Sequence, residues 1–458
     1  MTANRFAETF PDLTGRNVLV IGAGKSGKAA ARMAFERGAH VTLADRGNIQ
    51  GTGPLAGIGL HSGGHPVALL DRADLVVLSP GVPTDIELVV EAGLRKIPVW
   101  GEVELAFRFT RGRIVGITGS NGKSTVTAMT GAMLRAAGIP GGTGGNLDEP
   151  LTDLLVQDDP DAVHSLELSS FQLETIDTFR PQIATVLNLA ADHLDRHGTL
   201  DDYAAAKARI FENQAGDDIA ILNADDAASR VFDAAANANV HMVSTRVEIE
   251  RGALVRDGRI VLRTHLGEDP LMSVDELSLP GEHNLSNALF AALGARLAGA
   301  SIEGISATLR TFQPLAHRLE CVDEIDGVRF YNDSKATNPA ATMPALDAFD
   351  AGTIHLIVGG KDKGGDWDTL VAATRDRARR VLVIGAETTA MMRRFEGACD
   401  VLDCGTLEAA VEAGAAGAVS GDVVLLSPAC ASFDQFDSFE HRGRVFRDAV
   451  RALGERHA

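Results

Sequence analysis

Two glycine-rich stretches stand where an apolar, strand-like run gives way to a helical one, and both have residue types that hold phosphate. In the first, Gly22-Ala23-Gly24-Lys25-Ser26-Gly27 follows the run beginning at Asn17 and opens a helical pattern from about Lys25 to Arg37, with Asp45 ending the next strand, His40–Ala44. Glycines let a backbone approach a pyrophosphate, a helix amino terminus supplies N–H donors, and a carboxylate at the end of the second strand can reach a ribose hydroxyl. Alone, this pattern fits a dinucleotide site or a tight turn without ligand. In the second, Gly116-Ile-Thr-Gly119-Ser120-Asn121-Gly122-Lys123-Ser124-Thr125 gives strand, glycine loop, lysine, hydroxyl and helix in the order a nucleoside triphosphate needs. Loop N–H groups cradle the phosphates, Lys123 neutralises the β and γ oxygens, and Ser124 can ligate Mg²⁺. The spacing departs from GxxxxGK[ST], because Ile117 stands at the first glycine position. A nicotinamide enzyme has no use for such a loop, whereas a kinase or ligase needs it for ATP.

Further polar residues fall at the ends of apolar runs. Ser79-Pro80-Gly81 follows Asp74–Leu78 in a sharp turn at the carboxyl end of a strand, where open α/β sheets place ligands. Glu167 follows Ala162–Leu166 and is a natural oxygen ligand for a hard cation, or else a solvated loop acid. Asp192-His193 follows Ile183–Asn188. Lys207 lies in the Ala-rich helical stretch Leu200–Asn213, and as an ammonium it cannot bind a metal.

These residues require strands alternating with longer helices, and the chain supplies that alternation almost throughout, the pattern of βαβ units with parallel sheets. A third unit follows His317-Arg318, with strands predicted at Val328–Tyr331, Ile354–Val358, Val381–Ile384 and Val423–Leu426. The reading is an α/β protein of three domains over 1–104, 105–314 and 315–458: Rossmann-like, P-loop mononucleotide-binding, and Rossmann-like again. Its 458 residues carry 62 Asp and Glu against 43 Lys and Arg, a formal charge of −19, which argues against a nucleic-acid binder. At 45% hydrophobic residues it has material for real cores. No apolar run is long enough for a membrane span, and the start, with Arg5 and Glu8, lacks a signal-peptide stretch, so a cytoplasmic protein is expected. The four cysteines form no CxxC and read as reduced thiols.

From Gly119 to Thr125 the chain resembles the ATP-dependent Mur ligases. The likeness continues in Leu166–Glu174, Asp192-His193, Tyr203–Lys207, Gly281–Asn287, His317-Arg318 and Asn332–Asn338. The tail Ser427–Phe436, with Phe439 and Arg442-Gly443, is similar in particular to the D-glutamate-adding branch, and the Asp-Asn-Pro-Arg type motif of the diaminopimelate- or lysine-adding branch is absent. The resemblance implies a cytoplasmic step of peptidoglycan synthesis. ATP with Mg²⁺ would drive amide formation between the L-alanyl carboxylate of UDP-N-acetylmuramoyl-L-alanine and the amine of D-glutamate, through an acyl phosphate, in a monomer.

The resemblance also assigns residues. It turns the first glycine loop into a grip on the UDP-substrate: Gly24, Lys25 and Ser26 on the diphosphate, Asp45 and Arg46 at the uridine end, Ser79, Pro80 and Gly81 across the cleft, and Asn146 as a further contact. For ATP it implies Gly119, Ser120, Asn121, Gly122, Lys123, Ser124 and Thr125, with Asn287, Arg318 and Asp333 closing from the far side near a hinge at His317-Arg318. Ser124, Glu167, His193 and Lys207 would hold metal, Lys207 as its carbamate, and Lys123, His193 and Lys207 would be the catalytic set. The incoming glutamate would meet Lys335, Thr337, Lys363, Ser432 and Phe439, although Lys361 competes with Lys363 for its side-chain carboxylate. Two other readings share parts of the pattern. A folylpolyglutamate-type ligase uses the ATP loop but usually lacks the amino-terminal UDP unit, and a catalytically dead nucleotide-binding regulator would not need Lys123, Glu167, His193 and Lys207 intact.

Overall fold

Runs of Val, Ile and Leu bounded by glycine and proline become buried strands, because branched side chains pack well on a pleated surface covered on both faces. In the computed structural model, residues 12–49, 55–147, 149–155, 159–232, 237–265, 267–279, 281–313 and 316–457 are described. The amino-terminal decapeptide and the predicted 314/315 boundary lie outside them.

The first sheet contains β1 (Asn17–Ile21), β2 (His40–Asp45), β3 (Gly59–Ser62), β4 (Leu75–Leu78) and β5 (Val99–Gly101), all parallel, in the order β3-β2-β1-β4-β5. The order reverses between β1 and β4, and the crevice of such a sheet opens there, beyond the strand carboxyl ends. Those two ends are Gly22–Gly27 and Ser79–Gly81. One face buries Val18, Val20, Leu43 and Val77, the other Leu19, Ile21, Val76 and Leu78.

The second sheet has β6 (Arg113–Thr118), β7 (Thr143–Gly145), β8 (Val163–Glu167), β9 (Ile183–Val186), β10 (Ile219–Asn223), β11 (Asn239–Ser244), β12 (Gly252–Arg256), β13 (Arg259–Thr264) and β14 (Gly267–Ser273). Its order is β14-β13-β12-β11-β10-β9-β6-β8-β7. From β7 to β12 neighbours are parallel, while β12, β13 and β14 pair antiparallel, a departure from the parallel alternation expected of the sequence. The cause is the turn Asp257-Gly258, both at positive φ (51° and 71°), which joins β12 to β13 as a tight hairpin. β6 lies between β8 and β9, so the loops after all three strands emerge side by side. The helix Glu282–Ala298 packs across this sheet, burying Leu289, Phe290 and Leu293.

The third sheet comprises β15 (Glu320–Ile325), β16 (Val328–Asn332), β17 (Ile354–Gly359), β18 (Ala378–Ile384), β19 (Asp400–Gly405) and β20 (Val423–Leu426), in the order β15-β16-β20-β17-β18-β19. Only β15 is antiparallel, joined to β16 by another Asp-Gly turn, at Asp326-Gly327. The predicted helix Leu200–Asn213 is α-helical to Ala208 and then tightens into a 3₁₀ turn, Arg209–Phe211. Arg209 there turns its guanidinium onto the carbonyls of Leu173, Glu174 and Ile176.

Contacts divide the chain into two units: Met1–Leu189 with Ala204–Phe312, and Ala190–Tyr203 with Gln313–Ala458. The first holds two sheets and the second holds one. The stretch Ala190–Tyr203 interrupts the first unit to join the second.

Candidate active site

At the crevice of the first sheet, local packing dictates the glycines. A Cβ at Gly27 would fall 1.8 Å from the Gly22 carbonyl oxygen and 2.4 Å from Ser79 Oγ, so only hydrogen fits there. Ser79, buried, donates to the Gly22 carbonyl oxygen at 2.8 Å, tying the two predicted halves of the UDP grip together. Gly24 has open space around it, and the helix Lys25–Glu36 begins with neither a side-chain cap nor an acidic first turn, leaving an electropositive end. Asp45 shapes the loop: Oδ2 accepts from Ala23 N at 2.6 Å and Oδ1 from Gly47 N at 2.7 Å. The Ala23 bond is the main reason its carboxyl lies below the usual range. His65, which sequence reasoning missed, has a buried Nε2 without a hydrogen-bond partner, and burial and Arg46 push its pKa down while Asp45 opposes them.

The second site gathers at the carboxyl ends of β6, β8 and β9. Gly122 has φ 85° and caps the helix Lys123–Ala136, and a Cβ on it would come within 2.5 Å of Asn287 Oδ1. Asn287 therefore does stand against the glycine loop. Asn188, just beyond β9, anchors that loop: its side-chain oxygen accepts from Asn121 N at 2.8 Å, its amide donates to Asn121 O at 3.1 Å, and its own carbonyl accepts from Ser120 N at 3.0 Å. Lys123 Nζ donates to the carbonyls of Gly119 (2.9 Å) and Ser120 (2.8 Å), and Lys207 Nζ, buried, donates to that same Gly119 oxygen at 2.8 Å. Lys207 is thus no surface lysine. Glu167 is also buried, and its Oε1 accepts from Asn146 Nδ2 at 2.8 Å, joining two more predicted positions.

The donor chemistry here suits Mg²⁺. One buried carboxylate, Glu167, and the hydroxyl of Ser124 are hard oxygen donors, and among the described residues no three His, Cys, Asp or Glu side chains form a cage. Mg²⁺ typically takes one or two carboxylates and completes its shell with water and phosphate oxygens.

The remaining predicted residues belong to the second unit. His193 has φ 55° and its Nε2 lies 3.6 Å from Asp192 Oδ2. Lys363 Nζ contacts Asp192 Oδ1 at 2.9 Å and Thr337 Oγ1 at 3.5 Å, while Asn338 Nδ2 donates to Asp192 Oδ2 at 2.9 Å. Lys361 is exposed and pairs with Ala431 through its backbone, so Lys363 is the lysine in the polar cluster. Lys335 Nζ lies 4.1 Å from the centre of the Phe439 ring, a cation–π contact. Asp333 Oδ2 accepts from Ser427 Oγ at 2.7 Å and Oδ1 from Leu319 N at 3.2 Å, and burial raises its pKa to about 7. Ser432 is buried, and Phe439 is held through its carbonyl by Ser334 Oγ at 2.9 Å. Arg442 is wholly buried, donating to Ser334 Oγ (2.9 Å), Ser334 O (2.8 Å) and Cys430 O (3.0 Å). It stitches the Asp333–Thr337 loop to the tail. Burial lowers its pKa to about 10.

Three family models match this chain in order: the Mur ligase MurD-like N-terminal domain over residues 16–101, the Mur ligase middle domain over 117–295, and the Mur ligase glutamate ligase domain over 317–430. The chain belongs to the Mur ligase family. This Mur ligase is 45% identical over 452 residues to the UDP-N-acetylmuramoylalanine--D-glutamate ligase of Acidobacterium capsulatum, covering 96% of this chain and 97% of that one. It is also 45% identical over 450 residues to the ligase of the same name from Pelotomaculum thermopropionicum, covering 96% and 99%. Among solved structures, the fold is shared with a pseudomurein peptide ligase type C from Methanothermus fervidus (TM-score 0.61, 18% identity, 96% of this chain and 100% of that one). It is shared too with MurF ligase from Thermotoga maritima in complex with ADP (TM-score 0.59, 16% identity, 98% and 100%). Each of the three sheets of this Mur ligase lies largely within the span of one family model. No helix among its described residues is long and apolar enough to cross a membrane.

Proposed function

We propose that this Mur ligase joins D-glutamate to UDP-N-acetylmuramoyl-L-alanine at the expense of ATP, through an acyl phosphate, in cytoplasmic peptidoglycan precursor synthesis. The observation that carries this reading is the 45% identity, across 96% of the chain, to a ligase named for that step. The three domains, 1–104, 105–314 and 315–458, take the UDP-substrate, ATP and the amino acid respectively.

A carboxylate is a poor electrophile. Its oxygen attacks the γ-phosphorus of ATP, ADP leaves, and the acyl phosphate is then open to the amine, which expels phosphate. Lys123 turns from the carbonyls of Gly119 and Ser120 to the β and γ oxygens, and the N–H groups of Gly119–Thr125 receive the phosphates. Preorganised positive charge of this kind supplies most of what phosphoryl transfer asks of a protein. Ser124, Glu167, His193 and Lys207 are the residues to hold Mg²⁺, which when bound neutralises phosphate oxygens. Lys207 would do so as a carbamate, since its ammonium form would repel the ion. Gly24, Lys25 and Ser26 at the uncapped helix start, with Ser79, Pro80 and Gly81, take the diphosphate; Asp45 and Arg46 take the uridine end, and Asn146 the sugar-peptide side. Asn287, Arg318 and Asp333 bind nucleotide, and Lys335, Thr337, Lys363, Ser432 and Phe439 bind glutamate. Lysines and hydroxyls suit its two carboxylates.

The test is phosphate release from ATP by the purified protein with Mg²⁺, UDP-N-acetylmuramoyl-L-alanine and either D- or L-glutamate. Release is expected with D-glutamate; silence with it, and release with another acceptor, would overturn the assignment. Light scattering of the same sample is expected to give a monomer.

A further inference from the structure

The loop between β17 and the helix Trp367–Arg377 carries Lys363, and its neighbour Asp362 is held from three directions. Asp362 Oδ1 accepts from Gly364 N at 2.9 Å and from the indole Nε1 of Trp367 at 3.1 Å. Its Oδ2 accepts from Arg394 Nη2 at 2.8 Å. The Arg394 guanidinium lies 4.9 Å from the centre of the Trp367 ring, and Trp367 is buried and meets Phe395 edge-on at 6.3 Å. Arg394 and Phe395 end the helix Thr388–Phe395, which holds none of the residues assigned to the acceptor amino acid.

Backbone bonds between Lys361 and Ala431 fix the start of the loop and Asp192 meets the Lys363 ammonium at 2.9 Å, but the backbone around them is rich in glycine. Gly359, Gly360, Gly364 and Gly365 all take positive φ, and glycine surrenders more backbone freedom on ordering than any other residue. Lys363 ends a flexible four-carbon stem, so the place of its Nζ depends on where the backbone at 362–364 is pinned. Displacement of a binding group by as little as an ångström weakens a site considerably.

We infer that Asp362, Trp367 and Arg394 are positioning residues, a clamp that sets the affinity for the incoming acidic amino acid by holding Lys363 within reach of its carboxylate. This rests on the reading of Lys363 as an acceptor-binding lysine. The arms of the test separate the two.

Arg394 is 39% exposed, so its removal should leave the fold intact, which the thermal midpoint of the variant checks. Arg394→Ala is expected to raise KM for D-glutamate about three- to tenfold, as loss of a charge-assisted bond to a largely covered carboxylate implies. Both kcat and the KM values for ATP and the UDP-substrate should stay within about twofold, because the clamp touches only the acceptor loop. Arg394→Lys should recover most of the loss, since one amine can reach the single oxygen that Arg394 contacts. Asp362→Asn, which keeps an acceptor for Gly364 and Trp367 but loses the charge, should fall between. Lys363→Ala should raise KM for D-glutamate more than any of them. An unchanged KM in Arg394→Ala alongside a raised KM in Lys363→Ala sinks the clamp and leaves the acceptor reading standing. No change in Lys363→Ala removes both. A uniform loss in kcat and every KM, not rescued by Arg394→Lys, would mark a general structural role and also overturn the proposal.

Discussion

Lys123 and Lys207 donate to one oxygen, that of Gly119, from 4 and 88 residues further along the chain. A carbonyl offers two lone pairs, so the geometry is satisfied, but two ammonium groups at one acceptor repel. A triphosphate bound as proposed would relieve that repulsion by drawing Lys123 away. Lys123→Ala should therefore lower kcat by roughly 100- to 1000-fold with little change in thermal midpoint, measured by phosphate release and calorimetry. Lys207→Ala should be inactive and regain part of its rate when short-chain carboxylic acids replace the missing carbamate; full activity without them would sink the metal role. Residues of this kind were legible because their motifs are local. Asp362 and Asn188 were not, since each matters through partners far off in sequence, Arg394 for Asp362 and Asn121 for Asn188, and of Arg442 the sequence showed the motif but not its bonds to Ser334.

At the scale of elements, strand ends carry the chemistry and side chains from neighbouring strands hold the loops in shape. The glycine loop after β6 hangs on Asn188 after β9, which makes three hydrogen bonds to it. Asn188→Ala should raise KM for ATP by about tenfold, since each lost bond leaves a loop amide or carbonyl to find water. An unchanged ATP dependence would show that the loop keeps its form unaided. The parallel strands around each glycine loop could be read from apolar runs. The antiparallel additions, β13 to β14 and β15, were signalled by Asp257-Gly258 and Asp326-Gly327 between apolar runs, and were passed over because the βαβ rhythm dominated. The short β3, β5 and β7 have too few residues to show a period at all.

For the whole molecule, an acidic chain must bind substrates that are all anions, which concentrates the burden on a few lysines and arginines. It also stores a buried acid away from them. Glu102, in the helix after β5, accepts from Thr152 N and Oγ1 at 3.0 Å each, linking the first sheet's layer to the second's, and its pKa is raised to about 7, chiefly by burial. Because the folded value exceeds the unfolded one, the folded state holds the proton more tightly. The stability this contributes is complete below about pH 4.5 and is lost as pH rises towards 7, amounting to roughly 3 kcal/mol. Glu102→Gln should flatten the thermal midpoint across that window, and an unaltered slope would assign the pH response elsewhere.

The excursion of Ala190–Tyr203 into the second unit means that the backbone passes between the units at three places, after Leu189, Tyr203 and Phe312. A single proteolytic nick near residue 313 would therefore leave two fragments still held together, because the amino-terminal one keeps Ala190–Tyr203, a part of the second unit. A recombinant piece beginning at Gln313 would lack Asp192, the counter-ion of Lys363 and the acceptor for Asn338, and would fold around an uncompensated, largely covered cation. Nicked protein should co-elute as one species, whereas that piece expressed alone should be poorly stable unless a peptide spanning 190–203 is supplied.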